Sequence, residues 1–243
     1  MTPILRVLPD AATLALAAAG EFTRVASASK GPFRVALSGG STPKAFHALL
    51  SDETKPFRAR IPWERLHFFW GDERCVPPDH PESNYRMALE TLLSKVPVPA
   101  GQIHRIQGEL ANADQAADLY EETLLREFDT LPRFDWIFLG MGPDGHTASI
   151  FPGTSALVEQ KKLVTSVWVP EKAAHRVTLT LPVLNAGKKV VFVVSGADKA
   201  EAARQVIEGG PQPTFPASLV NPARGELLRL LDRAAAGRLS AGV

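Results

Sequence analysis

Three clusters of residue types in this sequence could act together on a small anionic molecule. The first is Ser38-Gly-Gly-Ser-Thr-Pro43. Gly39 and Gly40 let backbone N–H groups come close to an anion, and Ser41 and Thr42 add hydroxyl donors. A helix opening at Pro43 adds partial positive charge behind them. A tight turn with a helix cap would use the same residues. The second cluster is Gly71-Asp-Glu-Arg74. Arg74 could clamp an anion through paired N–H donors, and Asp72 could bind or activate a hydroxyl; a solvated surface cluster is the alternative. The third is the glycine-rich stretch Gly140 to His146. An imidazole, with an ordinary pKa of about 6.5, is the natural base for taking a proton from water at neutral pH. Asp144 could orient the His146 ring or hold a substrate hydroxyl. Arg176 and Lys199 are further cations beside apolar segments.

Other chemistries are disfavoured. Gly140, Gly142 and Gly145 spell a dinucleotide fingerprint, but Pro143 sits inside the turn and Pro152-Gly153 would break the helix that must follow. The first loop lacks the spacing and the Lys-Ser/Thr ending of a Walker motif, and no G-x-S-x-G elbow occurs. His47, His67, His80, His104 and His175 form no H-E-x-x-H pair, and Cys75 is the single cysteine. No metal site is therefore expected. With 27 Lys+Arg against 26 Asp+Glu, the net charge of +1 argues against nucleic acid and anionic membranes as partners. No run of 18 apolar residues is present to span a bilayer. A partner would have to be recognised by local charge.

Positioning these groups falls to alternating strands and helices. Asp10 is the expected cap of a helix carrying Leu14, Ala18, Phe22 and Val25 on one face, which accounts for Ala11–Gly20 better than a signal peptide does. Strands are expected from Phe33, at Leu66–Trp70, around Ile103–Ile106, at Phe134–Leu139, Leu163–Val169, Val177–Leu181 and Val190–Val194. Helices are expected after Pro43, from Ser83 to Lys95, from Asn112 to Phe128 and from Asp198 to Ile207. Leu227–Leu231 reads as strand or helix, since periodicity does not separate them. Near-continuous apolar strands between amphipathic helices imply an α/β fold, a mostly parallel sheet with helices on both faces, as one domain over residues 1–243. In such sheets ligands bind beyond the carboxyl ends of the strands, where the loops at 38–43, 71–81 and 140–154 fall. A chain with one cysteine is expected in the cytoplasm.

In this order the segments closely resemble the 6-phosphogluconolactonase family. The resemblance rests on the three clusters extended to Pro77 and Pro152, on Ser83-Asn84, Arg176-Val-Thr-Leu-Thr-Leu and Gly196-Ala-Asp-Lys199-Ala, and on Pro216-Ala-Ser-Leu219. It implies a Rossmann-like fold shared with glucosamine-6-phosphate deaminases. It also implies hydrolysis of 6-phospho-D-glucono-1,5-lactone, the second step of the oxidative pentose phosphate pathway, without metal or cofactor. The 38–42 loop, Arg74, Arg176 and Lys199 would hold phosphate and sugar, and His146 would be the general base. The deaminases differ at two places. They typically carry Met-Asp-Glu-Tyr where Gly71-Asp-Glu-Arg74 stands, and a glutamate in place of Phe151. A related fold also serves sugar-responsive regulators, but the N-terminal 30 residues offer no helix-turn-helix. Oligomeric state is left open.

Overall fold

The computed structural model describes residues 2–128 and 130–240. The strands are β1 (Ile4–Leu8), β2 (Phe33–Leu37), β3 (Leu66–Trp70), β4 (Asp72–Arg74), β5 (Trp136–Leu139), β6 (Val164–Val169), β7 (Ala174–Leu179), β8 (Lys189–Val194) and β9 (Glu226–Asp232). The helices are α1 (Ala11–Ala28), α2 (Ser41–Ser51), α3 (Asn84–Thr91), α4 (Ala113–Glu127), α5 (Ser155–Val158), α6 (Leu181–Ala186) and α7 (Ala200–Glu208).

Six strands form one sheet in the order β1-β9-β8-β5-β2-β3, and every pairing in it is parallel. Parallel strands are buried on both faces, which is why all six residues of β8 are buried. In-register pairing puts Phe33, Val35 and Leu37 on the same face as Leu66, Phe68 and Trp70. Helices α1 to α3 cover that face: Phe22 meets Trp136 edge-on at 5.3 Å, Phe46 meets Phe138 at 4.4 Å, and Tyr85 meets Trp70 at 5.5 Å. On the other face Phe69 packs on Phe128 at the end of α4, and Ala203 and Val206 of α7 lie beside Phe192 and Val194. The two faces draw on one continuous apolar core. The expected cap of α1 is formed, with Thr13 N–H donating to Asp10 Oδ1 at 2.8 Å.

A second, three-stranded sheet, β4-β7-β6, is antiparallel. It grows directly out of the first. Gly71 donates its N–H to the Leu37 carbonyl and accepts from the Leu179 N–H, both at 2.8 Å, so the chain steps from one sheet to the other at this residue.

Several expectations are corrected here. β4 lies inside the expected 71–81 loop, because three charged residues pair with β7 and carry no apolar alternation. β1, an exposed edge strand, carries no clear apolar pattern and was not expected. The expected strand at Ile103–Ile106 is one bridge, Phe68 to Ile103, against the edge of β3. The helix expected to reach Lys95 ends at Thr91 and passes into a short 3-10 turn. Leu227–Leu231 is strand, within β9. Among the described residues, no helix is long and apolar enough to cross a membrane.

Candidate active site

The strand order reverses direction between β2 and β5: β3 lies beyond β2 on one side, and β5, β8 and β9 lie on the other. Such a switch point leaves a crevice beyond the carboxyl ends of the two strands. A cleft of about 270 Å³ opens there, lined by Ser38–Gly40 after β2, by Gly140–Pro143 and His146–Ala148 after β5, and by Asp72, Arg74, Asn84, Arg176 and Lys199.

On one wall His146 and Asp144 form a tight pair. His146 Nδ1 lies 2.6 Å from Asp144 Oδ1, and the same oxygen accepts from the His146 backbone N–H at 3.2 Å. The ring stacks on Phe151 with centroids 4.0 Å apart, and a quarter of the side chain is exposed. Partial burial raises the Asp144 carboxyl, but hydrogen bonding and charge from His146 outweigh it and leave the pKa below the ordinary value. The turn admits this pair because residue 142 has no side chain. A Cβ there would fall 2.1 Å from His146 Nδ1 and 2.4 Å from Asp144 Oδ1. Thr147 Oγ1 donates to the Gly140 carbonyl at 2.8 Å, and Ala148, which lines the cleft, adopts a left-handed φ of 49°. Left-handed backbone at a non-glycine residue costs energy and persists only where the surroundings impose it.

The same cleft carries cations. Arg74 on β4 and Arg176 on β7 are in-register partners, so two guanidinium groups share one face of an antiparallel pair. Like charges placed this way repel. Both Nε groups are buried without a hydrogen-bond partner. Burial holds the Arg176 pKa below its ordinary value, partly offset by Asp72, and Arg74 lowers it further. An anion between them would satisfy the donors and relieve the repulsion. Lys199, in the turn after β8, also lines the cleft and pairs with Asp198. Helix α2 starts at the rim with Gly40 as its N-cap and no side-chain cap, leaving its first N–H groups open.

Asp72 links the segment after His146 to Arg176. It is 5% exposed and accepts from Ser149 Oγ at 2.7 Å, with Arg176 Nη1 at 3.9 Å. The structure thus gathers Gly39, Gly40, Asp72, Arg74, His146, Arg176 and Lys199 around one cleft, with Asp144 behind His146. Ser41 and Thr42 sit on the first turn of α2, outside the residues that line it.

Two residues were given no role from the sequence. Glu73, 2% exposed, accepts from the N–H groups of Arg74, Asn84 and Tyr85 at 2.8 Å each and from Ser83 Oγ at 3.0 Å. Its carboxylate ties β4 to the start of α3. Asn84 then reaches the Asp72 carbonyl at 2.9 Å and fills the space where a Cβ on Gly39 would lie, 1.9 Å from Asn84 Oδ1. The available signal was Ser83-Asn84 at a helix start, a capping pattern that does not say what is capped.

Known proteins agree with this architecture. The chain matches the family model for glucosamine-6-phosphate isomerases/6-phosphogluconolactonase over residues 9–229 and belongs to that family. Within it, the chain is 40% identical to a 6-phosphogluconolactonase of Nostoc, covering 99% of this chain and 100% of that one. It is 41% identical to the 6-phosphogluconolactonase of Rattus norvegicus over 87% of this chain and 82% of that one. The solved structure of 6-phosphogluconolactonase from Trypanosoma brucei superposes with a TM-score of 0.87 at 30% identity, covering 98% of this chain and 99% of that one. A monomeric glucosamine-6-phosphate deaminase, 20% identical with a TM-score of 0.79, shares the fold.

Proposed function

We propose that the chain is a 6-phosphogluconolactonase that opens 6-phospho-D-glucono-1,5-lactone to 6-phosphogluconate, with residues 1–243 acting as one catalytic unit in the cytoplasm. The observation that carries the reading is one cleft lined by a carboxylate-held imidazole and by two in-register arginines whose buried Nε groups have no hydrogen-bond partner. The relatives named above support the substrate class.

The phosphate binds among the α2 N-terminus, Gly39, Gly40, Arg74, Arg176 and Lys199, with Ser41 and Thr42 contributing from the helix rim. With Asp144 accepting from Nδ1–H, the His146 Nε2 lone pair is free to act as base. Nε2 takes a proton from water, and the water oxygen bonds to C1, giving a tetrahedral oxyanion. Collapse of that intermediate restores the carbonyl and breaks the bond from C1 to the ring oxygen, which receives the proton back from His146. The new carboxylic acid then ionises. Fixing the phosphate brings the proximity that such a reaction needs, and nearby cations stabilise the developing charge. Phe151, against which His146 stacks, offers no acid–base group, in keeping with hydrolysis over deamination. The test supplies the lactone and glucosamine 6-phosphate separately and follows acid and ammonia release. Acid from the lactone is expected, and ammonia without lactone cleavage would overturn the reading.

A further inference from the structure

We propose a second, noncatalytic site, in which His67, His104 and Glu127 bind a zinc-type divalent transition-metal ion. The three residues come from three parts of the chain. His67 is the second residue of β3, His104 follows the bridge that covers the edge of β3, and Glu127 is the last residue of α4. His67 Nδ1 and His104 Nε2 share a hydrogen bond at 3.3 Å between nearly parallel rings, and Glu127 Oε2 lies 3.6 Å from the first and 3.8 Å from the second. The point equidistant from corners spaced in this way lies about 2.1 Å from each, the bond length of zinc to imidazole nitrogen and carboxylate oxygen. An ion would replace the hydrogen bond between the rings, and each ring would pivot to turn its nitrogen from the other ring toward the ion.

Donor chemistry narrows the ion. Two imidazoles and one carboxylate suit Zn²⁺, Co²⁺ or Ni²⁺, whereas Mg²⁺ and Ca²⁺ take oxygen ligands. The side chains are 20%, 11% and 28% exposed for His67, His104 and Glu127, which leaves a path for an ion to enter. The ligands are supported from behind. The His104 ring stacks on Phe69 at 4.5 Å, and its backbone N–H donates to the Phe68 carbonyl at 2.8 Å. His67 Nε2 faces the Gln102 side-chain amide, whose Oε1 is buried without a partner. When Nδ1 binds a metal the ring proton moves to Nε2. Turning the Gln102 amide over then supplies an acceptor, in exchange for its bond to the Glu64 carbonyl. Arg34, in register with His67, and Arg126 add positive charge nearby, so binding weaker than at a four-ligand structural zinc site is expected.

The site lies about 13 Å along the strand direction from Gly71, at the strand rise of ~3.3 Å per residue. Its role is therefore to staple the sheet edge to α4. The experiment titrates chelator-stripped protein with Co²⁺, followed by absorption, and with Zn²⁺, followed by calorimetry and melting. His146→Ala is titrated in parallel, because the catalytic pair is another imidazole and carboxylate. Expected are one ion per chain, the intense visible bands of four-coordinate Co²⁺, and a Tm rise of about 5–10 °C at hundredfold excess over Kd. All three should persist in His146→Ala and be lost in Glu127→Gln, a partly exposed change at a helix end. His67→Gln provides a second variant. No uptake by the wild type, uptake that both variants retain, or uptake lost only in His146→Ala would overturn the proposal.

Discussion

Two clusters of imidazole and carboxylate stand near opposite ends of the strands of one sheet. His146 and Asp144 follow the carboxyl end of β5, two residues apart on a single turn, and share a 2.6 Å contact. His67, His104 and Glu127 sit toward the start of β3, drawn from distant segments, with no separation under 3.3 Å. The same side-chain types are thus set for different work. A carboxylate that holds one ring nitrogen leaves the other facing a cleft as a base. A carboxylate beside two ring nitrogens that share a hydrogen bond offers three donors that an ion could take over. Surroundings reinforce the distinction, since Arg74, Arg176 and Lys199 line the same cleft as His146.

The comparison breaks most sharply at His146. Replacing it with alanine is expected to lower lactonase kcat by about 10²–10⁴-fold, and turnover near wild type would remove the general-base role. Next comes Arg176→Ala, expected to lower kcat/KM by about 10²-fold, mainly through KM. A matching loss of phosphate inhibition would show that the anion was bound there. Gly142→Ala tests the turn itself. The added methyl must displace the pair, so kcat is expected to fall about tenfold or more while the melting temperature changes little.

Smaller effects sharpen the contrast. The Asp144 carboxyl is held below its ordinary 3.8 by His146, so this contact adds stability above pH 3.8 that is lost as pH falls through the lowered value. Urea unfolding of wild type and Asp144→Asn should show a modest gap at neutral pH that closes in acid. Glu127→Gln is expected to leave lactonase kcat and KM unchanged while abolishing metal-dependent stabilisation, and a tenfold fall in kcat would show that the two clusters are coupled.

Much of the core was legible because parallel strands and amphipathic helices write their periods into sequence. Phe33–Leu37, Leu66–Trp70 and Val190–Val194 are largely apolar runs that favour burial, and Leu14, Ala18 and Phe22 mark the buried side of α1. The glycine-rich turn with His146 was legible for a different reason: its partners are close in sequence. β4 was not, since pairing with a distant strand imposes no pattern on three charged residues. Glu73 was likewise hidden, because its four hydrogen bonds depend on α3 arriving beside β4.

The sequence by itself determined the α/β architecture, the local His146–Asp144 turn and the order of the motifs, all set by neighbours within a few residues. Tertiary structure alone decided that Arg74 would face Arg176 and that Asp72 would meet Ser149. It also brought His67, His104 and Glu127 within ligand distance of one another. Those relations join residues separated by tens of positions, and they follow from sheet order and register, which hydrophobic periodicity does not encode.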